Sequence, residues 1–424
     1  MIRVPYFAAL TAVFAASAAL GCGSPNVDTI GEADEAITDV VHTDVERQSI
    51  GNCWIYAEAS WAESMHKAAT GTNFDISQSY WTYWHWYGEI TGSPSSDEVQ
   101  TGGWWSTAND IVRSYGIVPE ASFVPGDGGN GVERSARQSS ALDTINRELK
   151  TGGRLDTFAK RSNRTLVRQV LSEAWELTTA EQQLLTSAFG ADGTRTIANG
   201  RAVTTGTAIV KASAFPAAYA LGPNQPILQK TLATAIGDWR EVSYPSSATS
   251  RRTVQRRLQK ALHDRQPAIL NWFVDFNALE AAPNLPLSAS FTLGKLNNNP
   301  GRQGGHMVVF EDYEAKLANG EILKAGVTLD PAKPADAQKL RDALRADTQV
   351  SFFRIKNSWG TNRTAPAVGF AGYHDLYVDY LNGPVKRCTE SEALVPLAQR
   401  GCDRDTVPFT SVILPRGYFT ATSL

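Results

Sequence analysis

Residues 47–56 read RQSIGNCWIY, and this stretch decides how the rest of the 424-residue chain is interpreted. Cys53 follows a Ser-Ile-Gly-Asn turn, and Gln48 lies shortly before it. From Cys53 onward the apolar residues recur at helical spacing, so we predict that a helix begins at this cysteine. A helix N-terminus favours negative charge, which is the charge of a thiolate. Cys53 is therefore a candidate nucleophile, and a buried, unreactive thiol is the alternative.

The N-terminus has the composition of an export signal. Arg3 precedes an apolar run over residues 6–20, which is short for a membrane span, and polar sequence follows. The run ends in ALGC at residues 19–22, which resembles the lipobox of bacterial lipoproteins. We expect residues 1–22 to be a lipoprotein-type signal peptide and Cys22 to carry the lipid that attaches the chain to a membrane of the bacterial cell envelope. Simple secretion and a membrane-anchor helix are the alternatives.

Export places the remaining cysteines in an oxidising compartment. Cys388 and Cys402 lie in one C-terminal segment and are able to close a disulfide loop. Cys53 is then left over, and an unpaired cysteine in an exported protein is a candidate reactive thiol.

Composition excludes some partners. The net charge is −3, with no basic tract and no zinc-type spacing of Cys and His, so we predict no nucleic-acid binding. The sequence implies no metal and no organic cofactor. Eleven tryptophans and thirteen tyrosines indicate large aromatic cores or clefts. The sequence gives no prediction of the oligomeric state.

The order of helical and strand patterns indicates an α+β protein with two lobes. Residues 23–42 are small and acidic, and we predict a tether. Helical patterns dominate the first part of the chain, at 74–90, 106–115, 139–150, 165–176, 179–188 and 253–266. Buried strands are predicted in the second part, at 268–274, 306–313 and 350–359, and an extra strand is predicted within 409–419.

A thiol nucleophile requires a base, and histidine is the usual one. His306 follows Gly304 and Gly305 and opens an apolar strand, which places an imidazole at the mouth of a strand with room beside it. A satisfied core histidine is the alternative. The other histidines lie in the tether (His42), within helices (His66, His85, His263) or after a glycine-rich turn (His374), and we expect His66 and His263 to be solvated.

The sequence KNSWG at 356–360 supplies a third polar group. Asn357 ends an apolar strand, and its amide oxygen is able to accept a hydrogen bond from an imidazole N–H and so fix the tautomer. Trp359 would screen that hydrogen bond from water. An ordinary turn at the end of a strand is the alternative.

These three motifs together, in the order Cys, His, Asn, resemble the papain superfamily of cysteine peptidases. The resemblance implies that Cys53 is the nucleophile and His306 the general base. It implies that Asn357 orients His306 and that Trp359 covers their contact. Gln48 would donate, with the backbone N–H of Cys53, to an oxyanion hole.

Three further segments resemble the bleomycin hydrolase and aminopeptidase C branch of this superfamily, namely ISQSYWTYWHWY (76–87), GGWWSTANDIVRSYGIVPE (102–120) and SSALDTINRELK (139–150). The implied fold is papain-like and two-lobed. A helical N-terminal lobe holds the cysteine, and an antiparallel, β-barrel-like C-terminal lobe holds the histidine and the asparagine.

The spacing of the motifs agrees with that branch. Cys53 and His306 are about 250 residues apart, beyond the ~130–150 of cathepsin-type chains. The additional length lies in a mainly helical insertion at about 120–250. The resemblance covers most of 44–380, and we assign 43–382 to the peptidase domain.

A glycine pair gains a role from the resemblance. In papain-like clefts the backbone of such a pair binds the extended substrate, which absent Cβ atoms permit. Gly102 and Gly103 are the matching residues, and Trp104 and Trp105 would wall the cleft. Trp54 would support the site beside Cys53. A plain loop turn with aromatic core anchors is the alternative.

The chain departs from the family at three places. Gln48 is one residue closer to the cysteine than is usual, which shortens the oxyanion loop. Ile50 replaces a cysteine found in many secreted relatives. Residues 383–424 form a C-terminal extension with the candidate disulfide, so the trimming of N-terminal residues by an aminopeptidase is not carried over.

The expected reaction is hydrolysis of peptide or protein substrates through a thioester acyl-enzyme. An acyl- or aminoacyl-transferase with the same triad is one alternative, because an amine acceptor is able to replace water. A surface lipoprotein that keeps the fold as a non-catalytic binding module is the other.

Overall fold

The structure is a computed structural model, and it describes the main part of the chain. The described residues are 40–92, 96–124, 134–198, 208–281, 289–361, 365–367, 369–389, 399, 401–422 and 424. The predicted signal peptide, Cys22 and the tether up to residue 39 lie outside the described residues. No helix in the described part is long and apolar enough to cross a membrane.

Helices dominate the N-terminal half. The helices are α1 (Cys53–Thr70), α2 (Gln78–Gly92), α3 (Trp105–Tyr115), α4 (Arg134–Leu149), α5 (Phe158–Ser162), α6 (Arg164–Ala174), α7 (Thr179–Phe189), α8 (Leu232–Asp238), α9 (Ala248–His263), α10 (Leu293–Leu296), α11 (Pro334–Ala343), α12 (Val378–Asn382) and α13 (Arg416–Thr420). The fold is α+β, as the sequence predicts.

Strands dominate the C-terminal half. They are β1 (Pro216–Tyr219), β2 (Leu228–Thr231), β3 (Trp239–Ser243), β4 (Ile269–Asp275), β5 (Leu279–Glu280), β6 (Ser290–Phe291), β7 (Gln303–Lys316), β8 (Ile322–Leu323), β9 (Gln349–Lys356), β10 (Tyr373–Tyr377), β11 (Val385–Arg387), β12 (Arg404–Thr406) and β13 (Phe409–Pro415).

The helical lobe is built around α1 and α2. Both helices are buried on nearly every side, with Trp54 and Trp61 of α1 and Trp84 and Trp86 of α2 almost fully enclosed. Ser77 caps α2, since its hydroxyl accepts from the backbone N–H of Tyr80 at 3.2 Å. The aromatic segment is therefore the core of this lobe.

The main sheet has the order β3-β13-β4-β7-β9-β10-β6-β5, and β8 also pairs with β7. Neighbouring strands are antiparallel except for β10 and β6. The faces of β7 alternate, because Met307 and Val309 pack into the helical lobe while Val308 and Phe310 belong to a second core beneath α9. Helix α1 packs against β7, and this contact joins the two lobes.

Several details differ from the sequence predictions. Residues 40–42 are part of the folded body and not of a tether, since Val40 is buried and His42 Nε2 lies 2.8 Å from a carboxylate oxygen of Glu311. The insertion at 120–250 contains β1, β2 and β3 as well as helices. The segment predicted as an extra C-terminal strand is β13, an internal strand of the main sheet between β3 and β4.

Two histidines expected in solvent have protein partners instead. His66 is buried, and its Nδ1 lies 3.2 Å from the carbonyl oxygen of Pro216. His263 Nε2 lies 2.7 Å from the hydroxyl of Tyr313. His66 on α1 packs against β1, and His263 on α9 packs against β7. The polar residues that flank both histidines in the sequence did not indicate these contacts.

Candidate active site

Cys53 is the first residue of α1, and its thiol is free and buried. The backbone N–H of Met307, on β7, faces the sulfur. Met307 directly follows His306, so the contact between α1 and β7 brings the thiol beside the histidine strand. Burial raises the pKa of Cys53 to about 11, against the opposing effect of the backbone N–H groups that face the sulfur.

A buried polar network fixes the start of α1. The side-chain amide of Asn52 donates to the hydroxyl of Thr82 at 3.1 Å and to the amide oxygen of Gln138 at 2.9 Å. Gln138 in turn donates to the hydroxyl of Tyr56 at 3.1 Å. These hydrogen bonds tie the residue before Cys53 to α2 and α4. The sequence analysis missed Gln138, because nothing in its helical segment marks one glutamine as buried.

His306 and Asn357 lie in contact, as the resemblance implies. His306 Nε2 is 2.8 Å from Asn357 Oδ1, and both residues are buried. Trp359 stacks on the imidazole with ring centroids 4.8 Å apart and an interplanar angle of 24°. Burial lowers the pKa of His306 to about 4, although the hydrogen bond to Asn357 acts in the opposite direction.

The orientation of the Asn357 amide defines the tautomer of the histidine. The backbone N–H of Ser358 donates to Asn357 Oδ1 at 2.8 Å, which identifies that atom as the acceptor. His306 Nε2 faces the same oxygen and must therefore carry the proton. The basic nitrogen of His306 is Nδ1.

Gln48 lies against the KNSWG segment. Its backbone N–H donates to the carbonyl oxygen of Ser358 at 2.8 Å, and its side-chain oxygen accepts from the Ser358 hydroxyl at 2.5 Å. Its side-chain amide donates to the carbonyl oxygen of Ile50 at 2.8 Å, within the same loop. The structure thus brings Gln48 to the loop that carries Asn357, and its predicted part in an oxyanion hole stays a prediction.

Gly102 and Gly103 have different surroundings. A Cβ on Gly102 would meet nothing within 4 Å, whereas one on Gly103 would lie 2.5 Å from the indole of Trp54. Trp54 Nε1 also donates to the carbonyl oxygen of Thr101 at 2.9 Å, so the indole supports this loop. Trp104, two residues after the open Gly102, is 66 % exposed.

Trp105 does not wall a cleft. It is buried at the start of α3, and its ring meets that of Trp61 edge to face at 6.2 Å. The expectation for Trp105 was wrong because a helix beginning at this residue turns its side chain inward, while Trp104 remains outside.

The predicted disulfide residues lie near the start of β7. Cys388 and Cys402 are joined by a disulfide beside the β11–β12 hairpin. The side chain of Gln303 holds this hairpin, since it donates to the carbonyl oxygen of Lys386 at 2.7 Å and accepts from the backbone N–H of Cys388 at 2.9 Å. The hairpin therefore borders the strand that presents His306.

Among the described residues, the carboxylates of Glu46, Glu63 and Asp75 form the group that could hold a metal ion, with oxygens within 4.8 Å of one another. Burial, followed by the charge of Glu63, raises the pKa of Glu46 well above its usual range, which favours the protonated form. The ammonium of Lys356 attracts Glu63 and Glu46 and donates to the hydroxyl of Thr43 at 3.0 Å. We interpret this group as a buried network of carboxyl groups around Lys356 that joins the segment before α1, α1 itself and β9.

His374 is a further residue of the site that the sequence analysis missed. It lies on β10, is 1 % exposed, and has its Nδ1 3.3 Å from Asn357 Nδ2. The sequence shows His374 only as a histidine after a glycine-rich turn, and nothing in the mixed strand Tyr-His-Asp-Leu-Tyr marks it as part of a site.

Comparison with solved structures gives cysteine proteases among the matches. PepW from Lactobacillus rhamnosis HN001 matches with 12 % identity, coverage of 92 % of this chain and 83 % of that chain, and a TM-score of 0.44. Xylellain, a cysteine protease from Xylella fastidiosa, matches with 13 % identity, coverage of 82 % and 81 %, and a TM-score of 0.30. The bromelain protease from Ananas comosus matches with 13 % identity, coverage of 88 % and 92 %, and a TM-score of 0.28.

No family model matches the sequence, and no curated protein matches it. The solved structures similar to this chain include cysteine proteases, the class of protein that the motifs around Cys53, His306 and Asn357 resemble. At identities of 12–13 % and TM-scores below 0.5, this similarity carries no assignment of activity. The function is therefore argued from the side chains of the site.

Proposed function

We propose that this protein is a cysteine peptidase in which Cys53, His306 and Asn357 act as a triad. The observation that carries the proposal is the hydrogen bond of 2.8 Å between His306 Nε2 and Asn357 Oδ1. This contact leaves Nδ1 of His306 free to act as a base. His306 lies on β7, and the backbone N–H of the next residue, Met307, faces the thiol of Cys53. A nucleophile, a base and a group that orients the base are the elements of such a triad.

The charges of the resting site favour transfer of the proton during attack. The pKa of Cys53 is raised to about 11 and that of His306 is lowered to about 4, so both groups are neutral between these values. As the sulfur bonds to the carbonyl carbon, its proton moves to Nδ1 of His306, and Asn357 Oδ1 stabilises the resulting imidazolium through Nε2–H. His306 then acts as Ser-activating histidines do in hydrolases.

The remaining steps return the enzyme to its starting state. His306 gives the Nδ1 proton to the leaving amine as the C–N bond breaks, which leaves a thioester on Cys53. Water loses a proton to the same nitrogen and attacks the thioester, and the carboxylic acid leaves while the sulfur is reprotonated. The backbone N–H of Cys53 and the amide of Gln48 are the proposed donors to the oxyanion.

The backbone around the site has room for an extended peptide. Gly102 faces open space, and a Cβ on Gly304 or Gly305 would also meet nothing within 4 Å. Gly304 and Gly305 of β7 pair with β4 on one side of the strand. On the other side, within the described residues, β9 pairs with β7 only from Val309 onward. An unpaired strand edge of this kind is able to bind the main chain of a substrate.

The test is cleavage of a mixed peptide library by a reduced, soluble form of the protein, with products identified by mass. We expect Cys53→Ala and His306→Ala to lose cleavage by at least about 1,000-fold, because the triad acts as a unit. Cys53→Ser is the matched control for volume. The product ends separate internal cutting from removal of N-terminal residues.

Two outcomes would contradict the proposal. Cleavage that survives in Cys53→Ala would assign the activity to other residues. A folded wild-type protein that cleaves no peptide would favour the transferase, if added amines become acylated, or the binding module, if they do not.

The predicted export and lipid attachment are kept as part of the proposal. A lipid on Cys22 would place the peptidase on a membrane surface of the cell envelope, where its substrates would be peptides or exported proteins.

A further inference from the structure

His374 is a buried histidine that the proposed reaction does not use. Its Nδ1 lies 3.3 Å from the side-chain nitrogen of Asn357, and its ring meets that of Trp359 at 5.2 Å with an interplanar angle of 78°. The same indole stacks on His306. The amide of Asn357 therefore lies between two imidazoles that share one tryptophan as a cover.

The direction of the hydrogen bond to His374 follows from the Asn357 amide. Oδ1 of Asn357 accepts from the backbone N–H of Ser358 and faces His306, so the NH₂ group must point the other way. That NH₂ group only donates, and Nδ1 of His374 must be the acceptor. His374 is consequently neutral, with its proton on Nε2.

The backbone fixes the distance between these two side chains. β9 and β10 are antiparallel, with His374 opposite Ile355, and the backbone N–H of Asn357 donates to the carbonyl oxygen of Gly372 at 3.3 Å. One strand position away, Arg354 and Asp375 pair directly across the ladder. The acceptor on β10 is thus held at a set place relative to the amide at the end of β9.

We propose that His374 is a positioning residue for the triad. Its Nδ1 holds the NH₂ group of Asn357, and this fixes Oδ1 where it receives Nε2–H of His306. The loss of this acceptor leaves the amide held only at Oδ1, by the N–H groups of Ser358 and His306, with no partner at the NH₂ group. The amide is then able to rotate, so that His306 spends less time with Nδ1 free to act as the base. This inference rests on the proposed triad and adds a fourth residue to it.

The test compares His374→Asn with His374→Leu. The side-chain oxygen of asparagine occupies nearly the place of Nδ1 and is able to accept from Asn357, whereas leucine fills the space without an acceptor. We expect His374→Leu to lower kcat roughly tenfold with KM changed less than about twofold, which is the scale of effect for a group that orients another. We expect His374→Asn to restore kcat to within about threefold of the wild type.

A role in packing alone predicts the opposite order. Burying an asparagine amide among Phe291, Trp359 and β10 costs free energy, whereas burying a leucine side chain does not. If His374 acted only through packing, His374→Asn would therefore lose more stability and more activity than His374→Leu. Equal kcat values for His374→Leu and the wild type, or equal losses in both variants, would overturn the inference.

A second measurement separates this inference from the proposed function. In protein labelled with ¹⁵N-histidine, nitrogen shifts report the tautomer of His306, and the signals are assigned by their loss in His306→Ala and His374→Asn. We expect His306 to be protonated at Nε2 in the wild type and in His374→Asn, and to mix tautomers in His374→Leu. If His306 shows these tautomers in the three proteins but the wild type cleaves no peptide, the peptidase proposal is rejected and the positioning role is kept. An unchanged His306 tautomer in His374→Leu would reject the positioning role.

Discussion

At the scale of single residues, burial sets the chemistry of the Cys53–His306 pair. The thiol has a raised pKa and the imidazole a lowered one, and burial is the largest cause of both shifts. Burial penalises the charged form of each group. Both shifts favour the neutral form, so we predict that the substrate-free site holds a neutral thiol and a neutral imidazole and not a thiolate–imidazolium ion pair.

This charge state predicts how Cys53 reacts with an alkylating agent in the absence of substrate. Only the thiolate reacts, and its fraction rises about tenfold per pH unit below the pKa. With a pKa of about 11, the rate of alkylation by iodoacetamide should rise steadily from pH 6 to pH 10. The rate is measured by mass on a chain in which Cys388 and Cys402 remain joined, with Cys53→Ala as the blank.

A thiolate–imidazolium ion pair would give a different dependence of the alkylation rate on pH. A rate that is already high at pH 5 and changes little up to pH 8 would show an ion pair, in which His306 holds the proton. The peptidase proposal would stand in that case, but the neutral resting state would not.

At the scale of secondary-structure elements, the β9–β10 ladder holds Asn357 and His374 together. Its strongest polar contact is the pair of Arg354 and Asp375, in which Nε and one terminal nitrogen of the guanidinium meet the two carboxylate oxygens at 2.8 and 3.0 Å. Both side chains are buried. This pair fixes the offset of the two strands.

We expect Arg354→Met to lower the free energy of unfolding by about 3–5 kcal/mol, because it leaves the Asp375 carboxylate buried without its partner. Arg345→Met is the matched control. Arg345 makes a similar two-pronged contact with Asp347, but both side chains are more than half exposed, and such pairs contribute about 1 kcal/mol or less. Urea unfolding at pH 7 measures both. A loss in Arg354→Met no larger than in the control would show that the ladder does not depend on this pair.

At the scale of the whole molecule, the two lobes are joined by segments from both ends of the chain. Residues 40–48 cross from α1 to β9, with Lys67 donating to the carbonyl oxygen of His42 at 3.0 Å and Gln48 bonded to Ser358. From the other end, β13 completes the main sheet between β3 and β4. Residues 40–48, the first described segment, are therefore part of the folded body.

Seventeen residues, 23–39, separate Cys22, the predicted lipid attachment site, from Val40, and a fully extended chain of that length spans roughly 60 Å. We expect cells that make the full chain to incorporate labelled fatty acid into it and to retain it in the membrane fraction. Cys22→Ser should abolish both, while Cys53→Ser should change neither. A wild-type chain without label in the soluble fraction would support simple secretion instead.

Much of the architecture could be predicted from local sequence. Helix α1 begins at Cys53, α3 ends before Gly116, and α7 carries the capping box of Thr178 and Glu181, as start and stop signals indicate. These features depend on residues that are neighbours in the sequence, so a local pattern is enough to predict them. The contact of His306 with Asn357 joins residues 51 apart, and it was expected only from the resemblance to the papain superfamily.

Other features depend on neighbours in space. The sequence does not indicate that Gln138 reaches the start of α1, that Trp105 turns inward beside an exposed Trp104, or that His42 binds Glu311. Each of these results from the way helices and strands pack, and similar residues elsewhere in the chain remain at the surface.

Local patterns of polarity and spacing in the sequence are enough to predict the α+β class and to single out Cys53, His306 and Asn357 in that order, while the export signal at the N-terminus stays a prediction. Only the folded chain shows that the thiol faces the histidine strand, that burial shifts the pKa of each group toward favouring its neutral form, and that His374 accepts from Asn357. The physical reason is that burial and hydrogen-bond direction are set by packing between distant segments, and only the folded chain brings those segments together.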